Sequence, residues 1–254
     1  MKKVHTMKIV AAAIAVSLGT VAAASATEVT VGADVSSAYV WRGITFNDGF
    51  VVQPSVDVAG PAGLGFEVWG NFDLESVYGR FTDEEGFTTK VKELESGEFS
   101  EINLALSYDI PVDGFDLSVG LIEYLFPAGD ASTREVYAEV GFDLGHGFEL
   151  GGFVAYDFNE VEDFYASLSL GYEYEVDENL SLGIEGVIGA GGKDATAGGE
   201  SGLHEWMVTV SGAYALNGST ELGAFLAYTD SLDSKALPSQ KVDFFGGVSL
   251  YYSF

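Results

Sequence analysis

Residues Val242–Phe254 read VDFFGGVSLYYSF. Val242, Phe244, Gly246, Val248, Leu250, Tyr252 and Phe254 fall on one phase of a two-residue period; Asp243, Phe245, Gly247, Ser249, Tyr251 and Ser253 fall on the other. Successive side chains of a strand point to opposite faces. One phase here is apolar, and the other carries every polar group except the Tyr252 hydroxyl, so the stretch predicts a strand greasy on one side and wetted on the other. A strand of this kind needs partners, and the rest of the chain can be read for them.

Working back from it, eleven further alternating segments appear. They run over Glu28–Arg42, Phe50–Val58, Leu64–Leu74, Glu101–Asp109, Phe115–Leu121, Glu135–Asp143, Phe148–Asp157, Phe164–Glu175, Leu180–Ile188, Glu205–Tyr214 and Glu221–Thr229. Gly60-Pro61-Ala62-Gly63, Pro111–Gly114, Gly145–Gly147, Val176–Asn179 and Asn217-Gly218 are tight-turn signals between pairs of them. Pro54 interrupts the second segment, and because proline cannot donate to a ladder, a bulge is expected there. Glu75–Glu98 is long, charged and without a sustained period, and reads as a loop. Connections thus alternate long and short, as in an up-and-down transmembrane antiparallel β-barrel of about twelve strands. Apolar-phase aromatics near segment ends (Tyr39, Trp41, Tyr108, Phe115, Phe142, Phe148, Trp206, Tyr214, Tyr252, Phe254) fit interfacial girdles. A secreted sandwich would also alternate, but it has no reason for such girdles.

The composition agrees. The chain has positive mean hydropathy and 33 glycines among its 254 residues, yet beyond the N-terminal region no stretch approaches the roughly 20 apolar residues of a spanning helix. Lys2, Lys3 and Lys8, the apolar run Ile9–Leu18 and Ala24-Ser25-Ala26 form a secretory signal peptide over residues 1–26, leaving 27–254 as the barrel. An uncleaved signal anchor is the rival reading. Losing those three lysines from eleven Lys and Arg, and none of the 39 acids, takes the net charge from −28 to about −31. Such a surface excludes nucleic acid as a partner. The absence of cysteine excludes disulfides and thiolate chemistry.

With a barrel in view, the terminal Tyr252 and Phe254 resemble the closing strand of bacterial outer-membrane barrels, where such an aromatic strand is an assembly signal. The opening stretch Ala33–Asp48, with Tyr39-Val40-Trp41-Arg42-Gly43 at its centre and Gln53-Pro54-Ser55-Val56 after it, is similar to the opening motif of the TorF-like porin family. The resemblance implies a barrel in the outer membrane of a Gram-negative bacterium, contacting its lipid and lipopolysaccharide and inserted by the barrel-assembly machinery. It supplies neither a solute nor binding residues.

Chemistry is sparse. His204, beside Ser201 and Glu205, could form a nucleophile–base–acid set, which is what an outer-membrane lipid-modifying enzyme would need. The blander reading is a polar residue at the barrel rim, His204 sharing the apolar phase of Trp206. Gly189–Gly192 before Lys193 lacks the Ser or Thr of a phosphate loop, since Asp194 stands there, and reads as a mobile loop. Asp83-Glu84-Glu85-Gly86 lacks calcium-loop spacing. No catalytic residue, metal site or cofactor is expected.

The informative pattern is the polar phase. It carries Asp34, Asp57, Glu67, Asp73, Glu101, Asp109, Asp116, Glu135, Glu139, Asp143, Glu149, Asp157, Glu173, Glu175, Glu185, Glu205, Glu221 and Asp243, against a single inward base, Arg42, expected to pair with Asp57 or Asp243. A salt-adapted source would also enrich acids, but would still leave the bore acidic. The expected function is a porin: a passive channel for small cationic or neutral solutes. The alternative is a plugged barrel with a structural, adhesive or scaffolding role, its bore filled by inward Trp69, Tyr137, Phe153, Tyr165, Phe225, Phe245 and Tyr251.

Unboiled protein is expected to migrate differently from boiled protein on a denaturing gel, and deletion of Phe254 to lower the yield of the unboiled form. Recovery of the unprocessed chain in the inner membrane would contradict this reading.

Overall fold

The computed structural model describes residues 27–82, 88–127, 129 and 131–254, with the backbone alone for 79–82 and 88–93. The stretch read as a signal peptide, residues 1–26, and the Asp83–Gly86 run lie outside the described residues. Among the described residues sixteen strands follow in chain order: β1 (Glu28–Ser36), β2 (Tyr39–Trp41), β3 (Ile44–Asn47), β4 (Val51–Ala59), β5 (Leu64–Asp73), β6 (Val77–Thr82), β7 (Thr88–Leu94), β8 (Phe99–Asp109), β9 (Asp116–Leu125), β10 (Thr133–Gly145), β11 (Phe148–Asp157), β12 (Phe164–Glu175), β13 (Leu180–Gly191), β14 (Gly202–Asn217), β15 (Thr220–Ser231) and β16 (Phe244–Ser253). Twelve of them form a closed antiparallel barrel, in the order β1-β16-β15-β14-β13-β12-β11-β10-β9-β8-β5-β4. The C-terminal strand closes it: β1 pairs with β16 from Thr30↔Ser253 to Ser36↔Gly247, and with β4 from Glu28↔Ala59 to Ser36↔Val51. Closure removes the two free edges that an open sheet would expose.

The two-residue period sorts the side chains. Leu106, Leu168, Leu170, Leu226, Phe244 and Val248 lie exposed on the outer face, each more than half accessible. The alternate positions turn inward, where Phe245, Tyr137, Tyr165 and Phe225 are buried. Glycines make room for inward rings. A Cβ on Gly32 would overlap the Tyr251 ring, one on Gly120 the Tyr137 ring and one on Gly247 the Phe225 ring. These aromatic side chains therefore lie flat against neighbouring backbone.

Four expectations are corrected. First, the segment Glu28–Arg42 does not stay in the wall. It leaves at Ser37, whose N–H donates to the Gly246 carbonyl (2.9 Å) and whose Oγ accepts from the Gly246 N–H (3.1 Å); β2 and β3 then pair as a separate hairpin. Second, the stretch read as a loop at 75–98 contains β6 and β7, paired with each other; its dense charge obscured the alternation. Third, no bulge forms at Pro54. It stands opposite Ala33 in register, and the β4–β5 ladder steps from Val52↔Phe72 to Ser55↔Trp69 without a shift. The missing N–H is absorbed by a gap in one ladder. Fourth, a bulge does form where none was read. The β13–β14 register shifts between Ile188↔Trp206 and Ala190↔Leu203, setting His204 and Glu205 together against Gly189. Gly189 and Gly191, read as part of a mobile loop, belong to β13.

Gly120→Val is expected to weaken the barrel by about 1–3 kcal/mol, because the Tyr137 ring has nowhere to move without distorting the wall. Gly186→Ala, whose Cβ would meet nothing within 4 Å, is expected to be nearly neutral. Urea titration of vesicle-reconstituted protein measures both.

Candidate functional site

The β2–β3 hairpin sits inside the barrel. Its tip is a two-residue turn, Arg42-Gly43, with φ of 49° and 75°. Two successive positive φ values define the primed turn that matches strand twist, and glycine adopts the second without strain. Gly43 is also fixed by space: a Cβ there would stand 2.6 Å from Glu205 Cβ and 2.9 Å from a Leu237 methyl.

Each side of the hairpin meets a different part of the wall. Ala38 and Val40 are buried with Met207, Phe225, Ala227 and Phe245 of β14–β16. Trp41 packs against the cluster of Ala105, Ile122, Tyr124, Tyr137 and Ala155 from β8–β11, with its ring 5.9 Å from that of Tyr124. Tyr39 stacks near Trp69 (5.6 Å) and Phe46 (5.3 Å). Tyr39 and Trp41 are therefore interior residues and not part of a girdle, a second consequence of the chain leaving the wall at Ser37.

Polar contacts complete the docking. Tyr39 Oη donates to Glu101 (2.9 Å), Asn47 Nδ2 to Asp73 (2.6 Å), and the Thr45 N–H to Gln240 in the β15–β16 connection (3.0 Å). Arg42 makes two parallel bonds of 2.8 Å to the carboxylate of Glu135. Its guanidinium lies 4.1 Å from the Trp41 ring centroid, 4.2 Å from that of Tyr165 and 5.8 Å from that of Phe153. Fork-to-fork pairing and ring stacking suit guanidinium geometry. The expected partners, Asp57 and Asp243, are replaced by an acid on β10. A hairpin that crosses the bore reaches acids remote from its own strand. Asp243 is exposed in the connection before β16.

The inward acids fall into two tiers. Toward the long connections, Asp34, Asp73, Glu101, Glu135, Asp157 and Glu205 are all buried, and each accepts hydrogen bonds from identified donors. Tyr251 serves Asp34; Asn71 and Asn47 serve Asp73; Asn103 and Tyr39 serve Glu101; Tyr124 and Arg42 serve Glu135; Tyr165 and His204 serve Glu205. Asp157 takes Thr133 and three backbone N–H groups of its own loop. Toward the short turns stand Asp57, Glu67, Asp109, Asp116, Glu139, Asp143, Glu149, Glu173, Glu175, Glu185 and Glu221, half-buried or exposed. Between them the inner face carries small residues such as Ser107, Gly151, Ser167, Ser169 and Gly171. Asp57↔Glu67 and Asp143↔Glu149 are directly opposed across their ladders, an arrangement of like charges that is unfavourable without a counter-charge. Among the described side chains, the Arg or Lys inside the bore is Arg42. Arg134 pairs with Glu123 (2.7 Å) on the outer face, and Lys193, Lys235 and Lys241 are exposed in long connections.

The set Ser201, His204 and Glu205 does not assemble as a nucleophile, base and acid. Ser201 is exposed, whereas His204 is 1% exposed and places Nδ1 2.8 Å from Glu205. The bulge opposite Gly189 accounts for this: one extra residue turns His204 inward while Leu203 and Trp206 keep their outward phase. Tyr124, Asn47 and Asn71 are site residues that sequence reading missed. The signal for the hairpin was available in Tyr39-Val40-Trp41 and Ile44-Thr45-Phe46, two β-forming runs separated by a two-residue turn ending in glycine.

Arg42→Ala is expected to destabilise the barrel by about 3–5 kcal/mol, since it strands the buried Glu135 carboxylate. Arg42→Ala combined with Glu135→Gln should cost less than Arg42→Ala alone, whereas Asp57→Asn should not couple to Arg42. Double-mutant cycles in urea measure this directly.

Several solved outer-membrane channels share the architecture. The KdgM porin matches with a TM-score of 0.56 at 9% identity, over 89% of this chain and 99% of that one. The NanC porin matches with a TM-score of 0.52 at 10% identity, over 89% and 98%. The COG4313 outer membrane channel from Pseudomonas putida F1 matches with a TM-score of 0.52 at 14% identity, over 91% and 96%. No curated protein matches the sequence. At these identities the likeness is one of fold: a closed twelve-stranded barrel of the outer-membrane porin type. A family model covers residues 20–230, and the chain belongs to the family described as a bacterial protein of unknown function (Gcw_chp).

Proposed function

We propose that the protein is a passive outer-membrane channel whose acidic bore prefers cations and small neutral solutes to anions, and whose long-connection half is narrowed by the β2–β3 hairpin. The observation that carries this is the short-turn tier, a wall of carboxylates and small side chains where no described side chain supplies a base. Rings of Asp and Glu favour cations, and a narrow bore with low-dielectric walls focuses their field. The resemblance of Ala33–Asp48 to the opening of TorF-like porins supports the same reading, as does the shared fold. Processing near Ala26, assembly through Tyr252 and Phe254, and contact with lipid and lipopolysaccharide belong to this proposal.

The lining also separates this chain from one structural neighbour. A KdgM porin is solved in complex with disordered oligogalacturonate, a polyanion. An acid-lined bore repels such a solute, so the shared architecture carries over without the ligand.

One observation favours the plugged-barrel reading. The hairpin is bonded to β5, β8, β10 and the β15–β16 connection at once. Single-channel recording separates the two. A channel gives a reversal potential of cation-selective sign across a salt gradient at neutral pH. The preference weakens at 1 M salt, where the Debye length is about 3 Å. Gly43→Val, which forces the tip away from Glu205 and Leu237, is expected to raise conductance several-fold. An anion-selective potential would overturn the acidic-bore assignment, and silence in both proteins would establish the plugged barrel.

A further inference from the structure

The wall around Arg42 has the composition of a binding site. Glu135 offers both carboxylate oxygens side by side, Tyr165 offers an aromatic face at 4.2 Å, and Phe153 stands at 5.8 Å. These groups come from three successive wall strands, β10, β11 and β12, joined by continuous ladders. Bonds within the wall hold them in place. Tyr124 Oη donates to Glu135 Oε2 (2.9 Å), and the Tyr165 hydroxyl bonds to Glu205. The hairpin contributes only the occupant, Arg42, and the Trp41 ring that accompanies it. Withdrawing the hairpin leaves a carboxylate fork beside an aromatic face, already oriented.

Two further features point to a ligand. The occupant is presented from a non-glycine residue at positive φ, a costly conformation. Near it, Glu101 and Glu205 receive their bonds from Tyr39 and Asn103, and from Tyr165 and His204, so among the described side chains Arg42 is the permanent cation that serves this group of buried acids. The acidic short-turn tier raises the local concentration of cations on the approach to this point.

We propose that Glu135, Tyr124, Tyr165 and Phe153 form a binding site for a solute bearing a guanidinium group, and that Arg42 occupies it as a tethered substitute for that solute when the hairpin is docked. A free guanidinium compound competes with Arg42 for the Glu135 fork, and its binding releases the tip of the hairpin. Arrival of the solute rests on the channel reading; the existence of the site does not.

The test uses methylguanidinium chloride and the full-length mature barrel in detergent, with folding checked by the mobility of unboiled protein. By titration calorimetry, Arg42→Ala is expected to bind methylguanidinium at least tenfold more tightly than the wild type does. Glu135→Gln in the Arg42→Ala background is expected to abolish that binding. Tetramethylammonium, which has the charge but no N–H groups for the fork, is expected to bind at least tenfold more weakly than methylguanidinium. A folded Arg42→Ala protein that binds neither cation, or whose binding survives Glu135→Gln, overturns the proposal. Where Arg42→Ala refolds poorly, millimolar methylguanidinium in the refolding buffer is expected to restore the yield when equal tetramethylammonium does not; no difference between the two overturns the proposal. Binding without conductance in bilayers would refute the channel and leave the site standing, and conductance without binding would do the reverse.

Discussion

A strand set in hydrocarbon must hand every backbone N–H and C=O to a neighbouring strand, since no water is there to take them. In this chain that demand is met by β1, shared between β4 on one side and β16 on the other. The rest follows from the closure. Closing the sheet forces alternate residues into an enclosed bore, so polar groups must lie on one phase and apolar groups on the other. A ring of twelve strands is too wide for wall side chains alone to fill, and the Gly and Ser of the inner face widen it further. Closure therefore creates a cavity, and the hairpin is how one half of that cavity is filled.

The filling is electrostatic as much as steric. Buried carboxylates are costly unless each finds donors. In the long-connection half the hairpin supplies three: Tyr39 to Glu101, Arg42 to Glu135 and Asn47 to Asp73. The wall supplies the others through Tyr251, Tyr165, His204, Asn71 and Asn103. In the short-turn half neither happens to the same degree. Acids there face one another across ladders, at Asp57↔Glu67 and Asp143↔Glu149. One bore thus has a half whose acids are buried against fixed donors and a half whose acids are half-buried or exposed.

Most of the wall was readable because its signal is local. From Phe148 to Phe254 the alternating segments and the strands nearly coincide, and the tight-turn signals stand where the chain reverses. Reading failed where phase and position part company. Tyr39 and Trp41 continue the apolar phase of Val35, but an apolar face can meet lipid or the inside of a barrel, and periodicity does not distinguish them. His204 was assigned outward by counting from Trp206; the single extra residue opposite Gly189 inverts that count. Arg42 was paired with acids on the strands next to β1, when its true partner lies on β10, five strands from β1 around the wall.

The sequence by itself determined the closed antiparallel barrel, the sorting of its two faces and the excess of acid on the inner one. Each is a property of neighbours along the chain, written as a period of two and a count of charges. Only the tertiary structure decided that the first hairpin leaves the wall, that Arg42 meets Glu135, and that the acids divide into a buried tier and a more accessible one. Those facts depend on distances across the bore, and such distances do not exist until the first and last strands have paired.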